Sequence, residues 1–321
     1  MIGTSLEIAA NYLHAGQVVA IPTETVYGLA GNALSEEALV KIFEIKNRPR
    51  FDPLIVHLAD VNQISHYAAE FSEKAKKLAE RFMPGPLTLL LPKRNLIPDL
   101  CTSGLAKVAL RIPAHELTLK LLNQLPFPLA APSANPFGYI SPTTAQHVAD
   151  QLGQKVPYIL DGGPCKIGLE STIVGFEQGE AVIYRKGGLP VEAIQECIGK
   201  VHIQPHSSSN PAAPGMLKSH YAPRKPLLLG NISQMLERVD PLTSGVLSFR
   251  TQFPQVPPAQ QVVLSPEGDD IQAARRFFAA LRYLDSLPIE VILAELLPEQ
   301  GLGRAINDRL TRAAARSTSL D

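Results

Sequence analysis

Between Ile203 and Pro226 the run IQPHSSSNPAAPGMLKSHYAPRKP carries no apolar period, while strand-like and helix-like segments alternate on either side of it. A stretch so rich in Pro and Ser has no face to bury, so it reads as a connection between two separately packed bodies. The expected division is residues 1–203, a linker over 204–226 and a second body over 227–321. At 321 residues the chain is long enough for two cores of ordinary size.

In the first body, Thr4-Ser5-Leu6-Glu7 reads as a capping box opening a helix that Gly16 stops. Strands are expected at Gln17–Ile21, Leu54–Leu58, Leu87–Leu91, Val108–Arg111, Leu129–Ala131, Ile159–Leu160, Thr172–Val174 and Val182–Tyr184. Helices are expected from Ser35 to about Ile45 and near 72–82, 115–124, 142–152 and 191–198, with Ser141-Pro142 as a hydroxyl cap followed by proline. Beyond the linker, strands near 227–229, 246–249, 261–264 and 291–294 alternate with helices near 231–238, 270–284 and 304–315. That order implies a small parallel α/β body.

Thirty Lys plus Arg balance thirty Asp plus Glu, so no global field draws the chain to nucleic acid or an anionic membrane, and any basic site must be local. Cys101, Cys165 and Cys197 are far apart, without the spacing of a zinc site or a disulfide framework. They read as small buried apolar residues. No run approaches a membrane span and the N-terminus lacks a basic leader, so a soluble cytoplasmic protein is expected.

There is no phosphate-binding G-x-x-x-x-G-K-[ST], no H-E-x-x-H and no G-x-S-x-G, which leaves a nucleophile-based mechanism without a carrier. Polar residues at strand ends are more informative, because ligands of open α/β sheets sit there. Pro22-Thr23-Glu24-Thr25-Val26-Tyr27-Gly28 follows the first strand, and Lys46-Asn47-Arg48-Pro49-Arg50 follows the second helix. A solvated helix end would also explain those cations. Ala131-Pro132-Ser133-Ala134-Asn135, Arg111-Ile112-Pro113, Gly168-Leu169-Glu170-Ser171-Thr172 and Arg185-Lys186-Gly187-Gly188 complete the set. Forked arginines and a point-charge lysine among hydroxyls suit an anionic ligand.

Taken in order, P-T-E-T-x-Y-G-L, K-x-R-P, P-G-P-x-T at 84–88, A-P-S-A-N and G-x-E-S-T resemble the YrdC family. Pro214-Gly215-Met216, His220-Tyr221-Ala222-Pro223 and a segment from Gly303 to Arg309 extend the resemblance to its longer, two-domain form, over nearly the whole chain. The resemblance implies a twisted open mixed sheet with a basic cavity, a smaller Rossmann-like α/β domain and a linker folded back over the cavity. The implied reaction condenses L-threonine, bicarbonate or CO2, and ATP into threonylcarbamoyl-AMP and pyrophosphate, with Mg²⁺ accompanying ATP and no resident metal. The implied partners are downstream proteins that pass the threonylcarbamoyl group to tRNA, with a transient tRNA contact.

By resemblance, Lys46 and Arg48 hold the ATP phosphates and carry catalysis, with Ser133, Asn135, Ser141, Arg185 and Tyr221 at the nucleotide. Arg111 takes threonine's carboxylate, and Thr23, Thr25, His57 and Ser171 line the threonine pocket, although a core histidine is the plainer reading of His57. Asp52 stands where the family's pattern often has asparagine, and a carboxylate there repels phosphates unless Mg²⁺ or an arginine compensates. Two rivals are a noncatalytic RNA-binding module and a carbamoyl-transferring maturation enzyme. The neutral charge and the lack of interleaved aromatics weigh against the first, and the absence of further catalytic and zinc-binding modules against the second.

Overall fold

The structure is a computed structural model describing residues 1–204, 213–214, 216 and 220–315. The chain forms two compact units, one of Met1–Phe137, Pro142–Lys166 and Glu170–Leu217, the other of Gly138–Ser141, Ile167–Leu169 and Lys218–Asp321. Two short segments of the first half, Gly138–Ser141 and Ile167–Leu169, are thus grouped with the second unit. Of the expected linker, residues 205–212, 215 and 217–219 lie outside the described residues.

The first unit's strands are β1 (Ile2–Gly3), β2 (Val19–Ile21), β3 (Gly28–Asn32), β4 (Ile55–His57), β5 (Leu87–Pro92), β6 (Lys107–Arg111), β7 (Leu129–Ala130), β8 (Tyr158–Leu160), β9 (Thr172–Glu177), β10 (Glu180–Arg185) and β11 (Val201–Ile203). They form an eleven-stranded sheet in the order β1-β8-β2-β3-β7-β4-β6-β5-β9-β10-β11. The sheet is mixed: β4 and β6 run parallel, as do β5 and β9, while β5 and β6 are antiparallel.

The two-residue period of a strand sorts its side chains onto two faces. Val56, Leu89, Leu91, Val108, Leu110, Val174 and Ile183 join Leu39, Ile42, Phe43 and Leu78 from the helices in the larger core. Ile55, Leu90, Ala109, Ile173, Val182 and Tyr184 occupy the other face, where Ala213 and Met216 pack on them. Met216 is completely buried, a contact worth about 1.5–3 kcal/mol. The same alternation that puts Ile55 and Ala109 on this face puts His57 and Arg111 there too.

Local chemistry sets the helix that ends at Lys46. Ser35 caps Glu36–Lys46, its side chain accepting from Ala38 N at 3.3 Å, and Asn47 closes it in the left-handed region at φ 50°. Two expected starts move. The first helix, Leu6–His14, is capped by Ser5 rather than Thr4, and the expected helix near 142–152 is Ala145–Leu152, capped by Thr144. Residues 142–143 are taken up elsewhere, since Pro142 O accepts from Tyr27 N at 2.9 Å and Thr143 O from Cys165 N at 2.9 Å. Strands β1, β3 and β11 also form where the periodicity pointed to none. The β3 sequence GLAGN has almost no β-branched or aromatic character, and it is held by pairing on both sides, to β2 and β7.

The second unit holds β12 (Leu227–Leu229), β13 (Ser244–Ser248), β14 (Gln261–Val263) and β15 (Val291–Ala294), in the order β12-β15-β13-β14, all parallel. Its longest helix, Asp270–Ser286, buries Phe277, Phe278, Leu281 and Leu284. Asp285 near its end accepts from the backbone N–H of Arg224 and Lys225 at 2.8 and 3.1 Å and from the Tyr139 hydroxyl at 2.5 Å. Among the described residues no helix is long and apolar enough to cross a membrane.

Candidate active site

Arg111 and His57 end parallel strands in register, so both side chains stand at one end of the sheet's second face. They are 4% and 2% exposed, which makes their polar atoms meaningful only if a ligand or partner meets them. Arg111 Nη2 lies 2.8 Å from Glu24 Oε1, and its Nε donates to Gly85 O at 3.3 Å. The His57 Nδ1 donates to Ile55 O at 3.3 Å. Burial, and then the neighbouring Arg111 charge, push the imidazole down to about 3, so it is neutral near pH 7.

That shift predicts a pH effect on stability. Unfolded, the imidazole titrates near its ordinary value of 6.5; folded, it stays neutral down to about 3. Between those values the unfolded chain binds a proton the fold refuses, so this contribution is complete above pH 6.5 and is lost as pH falls toward 3. Chemical denaturation across that range should give His57→Gln a shallower fall than the wild type, by up to about 1.4 kcal/mol per pH unit. Superimposable slopes would mean that the imidazole protonates inside the fold.

β5 and β9 bring a second pair together, Thr88 Oγ1 and Ser171 Oγ at 2.7 Å. Arg185 locks the same corner: its Nε and Nη2 donate to Ser171 O at 3.0 and 2.9 Å, Nη2 to Ser171 Oγ at 3.1 Å, and Nη1 to Pro214 O at 3.3 Å. The glycine at 187 allows this close packing, since a Cβ there would stand 2.2 Å from Glu170 O.

Of the cations at the end of the second helix, Lys46 and Arg48 are buried rather than solvated, and only Arg50 is exposed. Lys46 is 1% exposed and donates to Ser133 O and Asn135 O, both at 2.5 Å, while Phe137 N donates to Lys46 O at 2.8 Å. Lys46 and the Ala131–Asn135 loop are therefore one assembly. Burial, and then the Arg48 charge, hold the Lys46 ammonium well below its ordinary range, with Asp52 partly opposing. Arg48 donates from Nε to Asp52 O at 3.0 Å and from Nη2 to Pro53 O at 2.8 Å, and Nη2 stands 2.9 Å from the Asp52 carboxylate. An arginine does compensate Asp52, at the cost of Arg48's own charge toward a phosphate.

Thr23 and Thr25 lie completely or almost completely buried in the turn after β2. The Thr23 hydroxyl is consumed by that turn, donating to Val26 O at 2.7 Å and accepting from Thr25 N and Val26 N at 3.1 and 3.2 Å. Ser141 and Tyr221 belong to the second unit. There Ser141 O accepts from Arg282 Nε at 3.2 Å. Tyr221, 1% exposed with φ 64°, has the Arg309 and Arg312 guanidiniums 5.1 and 4.7 Å from its ring centre, against Phe278 and His220. Arg309 and Arg312 share the Asp308 carboxylate at 2.7 and 3.5 Å.

Two residues inside quoted motifs acquire importance only here. Glu24 was one letter of P-T-E-T and Thr88 one letter of P-G-P-x-T, and neither letter indicated a buried partner. The available signal for Glu24 was an acidic residue flanked by hydroxyls in a turn between apolar strands. Among the described residues no three His, Cys, Asp or Glu side chains cluster to hold a metal ion.

Comparison with known proteins points the same way as the motifs. The family described as Telomere recombination, which unites Sua5, YciO and YrdC proteins, matches residues 11–187, and the C-terminal domain of threonylcarbamoyl-AMP synthase matches residues 189–315. The chain is 42% identical to the threonylcarbamoyl-AMP synthase of Pyrococcus abyssi over 96% of its own length and 94% of the relative's. It is 41% identical to that of Bacillus subtilis, over 95% and 92%. The crystal structure of P. abyssi Sua5 complexed with L-threonine superposes with a TM-score of 0.90 at 40% identity, covering 98% of this chain and 97% of the other.

Proposed function

We propose, from the premise that this chain belongs to the Sua5/YciO/YrdC family, that it makes threonylcarbamoyl-AMP from L-threonine, bicarbonate or CO2, and ATP, releasing pyrophosphate, for tRNA modification. The observation that carries this reading is the buried basic and hydroxyl-lined sheet face on which Arg111, His57, Thr88 and Ser171 meet, in a sequence without a nucleophile motif.

The reaction needs none. Threonine's ammonium gives one proton to solvent; the free amine then forms an N–C bond with CO2 and releases one further proton to solvent, leaving a carbamate whose nitrogen keeps one hydrogen. A carbamate oxygen then forms a bond to the α-phosphorus of ATP as the bond to the β-phosphate oxygen breaks and pyrophosphate departs with its electron pair. The step is an adenylyl transfer, which makes the enzyme a nucleotidyltransferase. The protein's part is to orient reactants and place positive charge where negative charge develops. Arg111 would hold threonine's carboxylate through its fork, with Thr25, His57 and Ser171 around it. Lys46 would face the phosphates, helped by Arg48, while Ser133, Asn135 and Arg185 would shape the nucleotide side. The Lys46 ammonium, disfavoured by burial, becomes favoured when a polyanion arrives. Thr23 would serve indirectly, by holding Thr25. Mg²⁺ would enter as the counter-ion of ATP, held by phosphates and water, as is usual where dedicated carboxylates are few. Transfer proteins that act on tRNA would consume the product.

Pyrophosphate release measured with components omitted one at a time tests the reading. It should require ATP, L-threonine and bicarbonate together, and serine should be used roughly 10–200-fold less efficiently if a wall touches threonine's methyl group. Threonine-independent formation of ADP, or equal use of serine, would count against it.

A further inference from the structure

The turn after β2 presents acceptors that the roles above leave unused. The Thr23 and Thr25 hydroxyl oxygens lie 2.7 Å apart, and Thr25 Oγ1, completely buried, has lone-pair capacity to offer a donor. Between them Glu24, 4% exposed, sets Oε1 2.8 Å from Arg111 Nη2. Apart from that ion pair, neither carboxylate oxygen receives a hydrogen bond among the described residues. A buried carboxylate with one oxygen facing no donor, beside a hydroxyl able to accept, is half of a recognition site.

We propose that Glu24, with the Thr25 hydroxyl, receives the α-ammonium group of the amino-acid substrate, so that the buried Glu24–Arg111 pair reads a zwitterion: carboxylate on Arg111, ammonium on Glu24. The inference rests on the assignment of Arg111 to the substrate carboxylate. An ammonium carries donors and no acceptor, the complement of what this turn offers. A carboxylic acid without the amine would satisfy Arg111 and leave the second Glu24 oxygen without a donor, so the pair selects amino acids over hydroxy acids. Sites built on a hydrogen-bonding group reject analogues lacking it far more strongly than apolar pockets reject a missing methyl.

The test is calorimetric binding of L-threonine and of (R)-3-hydroxybutyrate, its counterpart without the amine, to the full chain. The wild type should prefer threonine by on the order of 10²-fold or more. Glu24→Gln should cut that preference at least about tenfold, mainly by weakening threonine, as expected for loss of a charged hydrogen-bond acceptor. Because the preference is a ratio measured in one preparation, incomplete folding of a variant cancels from it. Glu24→Asp, which keeps the charge and draws it back by one methylene, should also lower the ratio and serves if Glu24→Gln does not fold. An unchanged ratio in these variants, including equal weakening of both ligands, would show that Glu24 only props Arg111 and overturns the proposal alone. Failure of the wild type to bind threonine would remove the Arg111 assignment and the proposal with it.

Discussion

Arg111→Ala is expected to weaken threonine binding by about 2–5 kcal/mol, roughly 30-fold to several thousand-fold, the range for truncating one partner of a buried charge pair. The size follows from the setting: the guanidinium is 4% exposed at the end of β6, so its attraction to a carboxylate is little screened by water. The same substitution strands the Glu24 carboxylate, whose counter-charge at 2.8 Å disappears. Breaking such a pair destabilises the fold, by about 3–5 kcal/mol in comparable cases. The binding experiment therefore needs Glu24→Gln/Arg111→Ala beside the single variant, with thermal melting to count folded protein. The double variant should recover stability and still bind threonine poorly. Normal threonine affinity in either protein would refute the carboxylate assignment.

Lys46→Ala is expected to lower kcat by about 10²–10³-fold, the loss seen when one donor to developing negative charge is removed. Lys46 also ties Ser133 O and Asn135 O together, so alanine leaves two carbonyls without their donor and loosens the Ala131–Asn135 loop. A purely structural lysine would show that loss as a lower melting temperature with unimpaired turnover per folded molecule. Lys46→Gln separates the two, since its amide N–H groups can still donate to a carbonyl of that loop while the charge is gone. It should recover part of the stability lost in the alanine variant and still lose turnover. A kcat per folded enzyme within a few-fold of wild type for both variants would take Lys46 out of the chemistry.

The fold was legible wherever a segment's own period matched its surroundings. Leu87–Pro92, Lys107–Arg111 and Val291–Ala294 are apolar runs whose burial needs no special partner, and they lie within a residue or two of expectation. Gly28–Asn32 was illegible because its residues do not favour a strand, and only its place between β2 and β7 makes it one. The start of Ala145–Leu152 was misplaced for a related reason: Ser141-Pro142 has the right local chemistry, but Pro142 O and Thr143 O accept from Tyr27 N and Cys165 N.

The sequence by itself determined what acts over a few residues: the alternation that makes the second unit a parallel α/β sheet, the Ser35 cap and Asn47 turn that end a helix at Lys46, and the ordered motifs that mark the family. Tertiary structure alone decided which charges meet. Glu24 finds Arg111, and Thr88 meets Ser171, because sheet register and burial bring together residues that are distant in the chain. Propensity, capping and periodicity depend on neighbours along the backbone, whereas an ion pair's worth depends on distance and on how much water is excluded, and both are set only when the chain has packed.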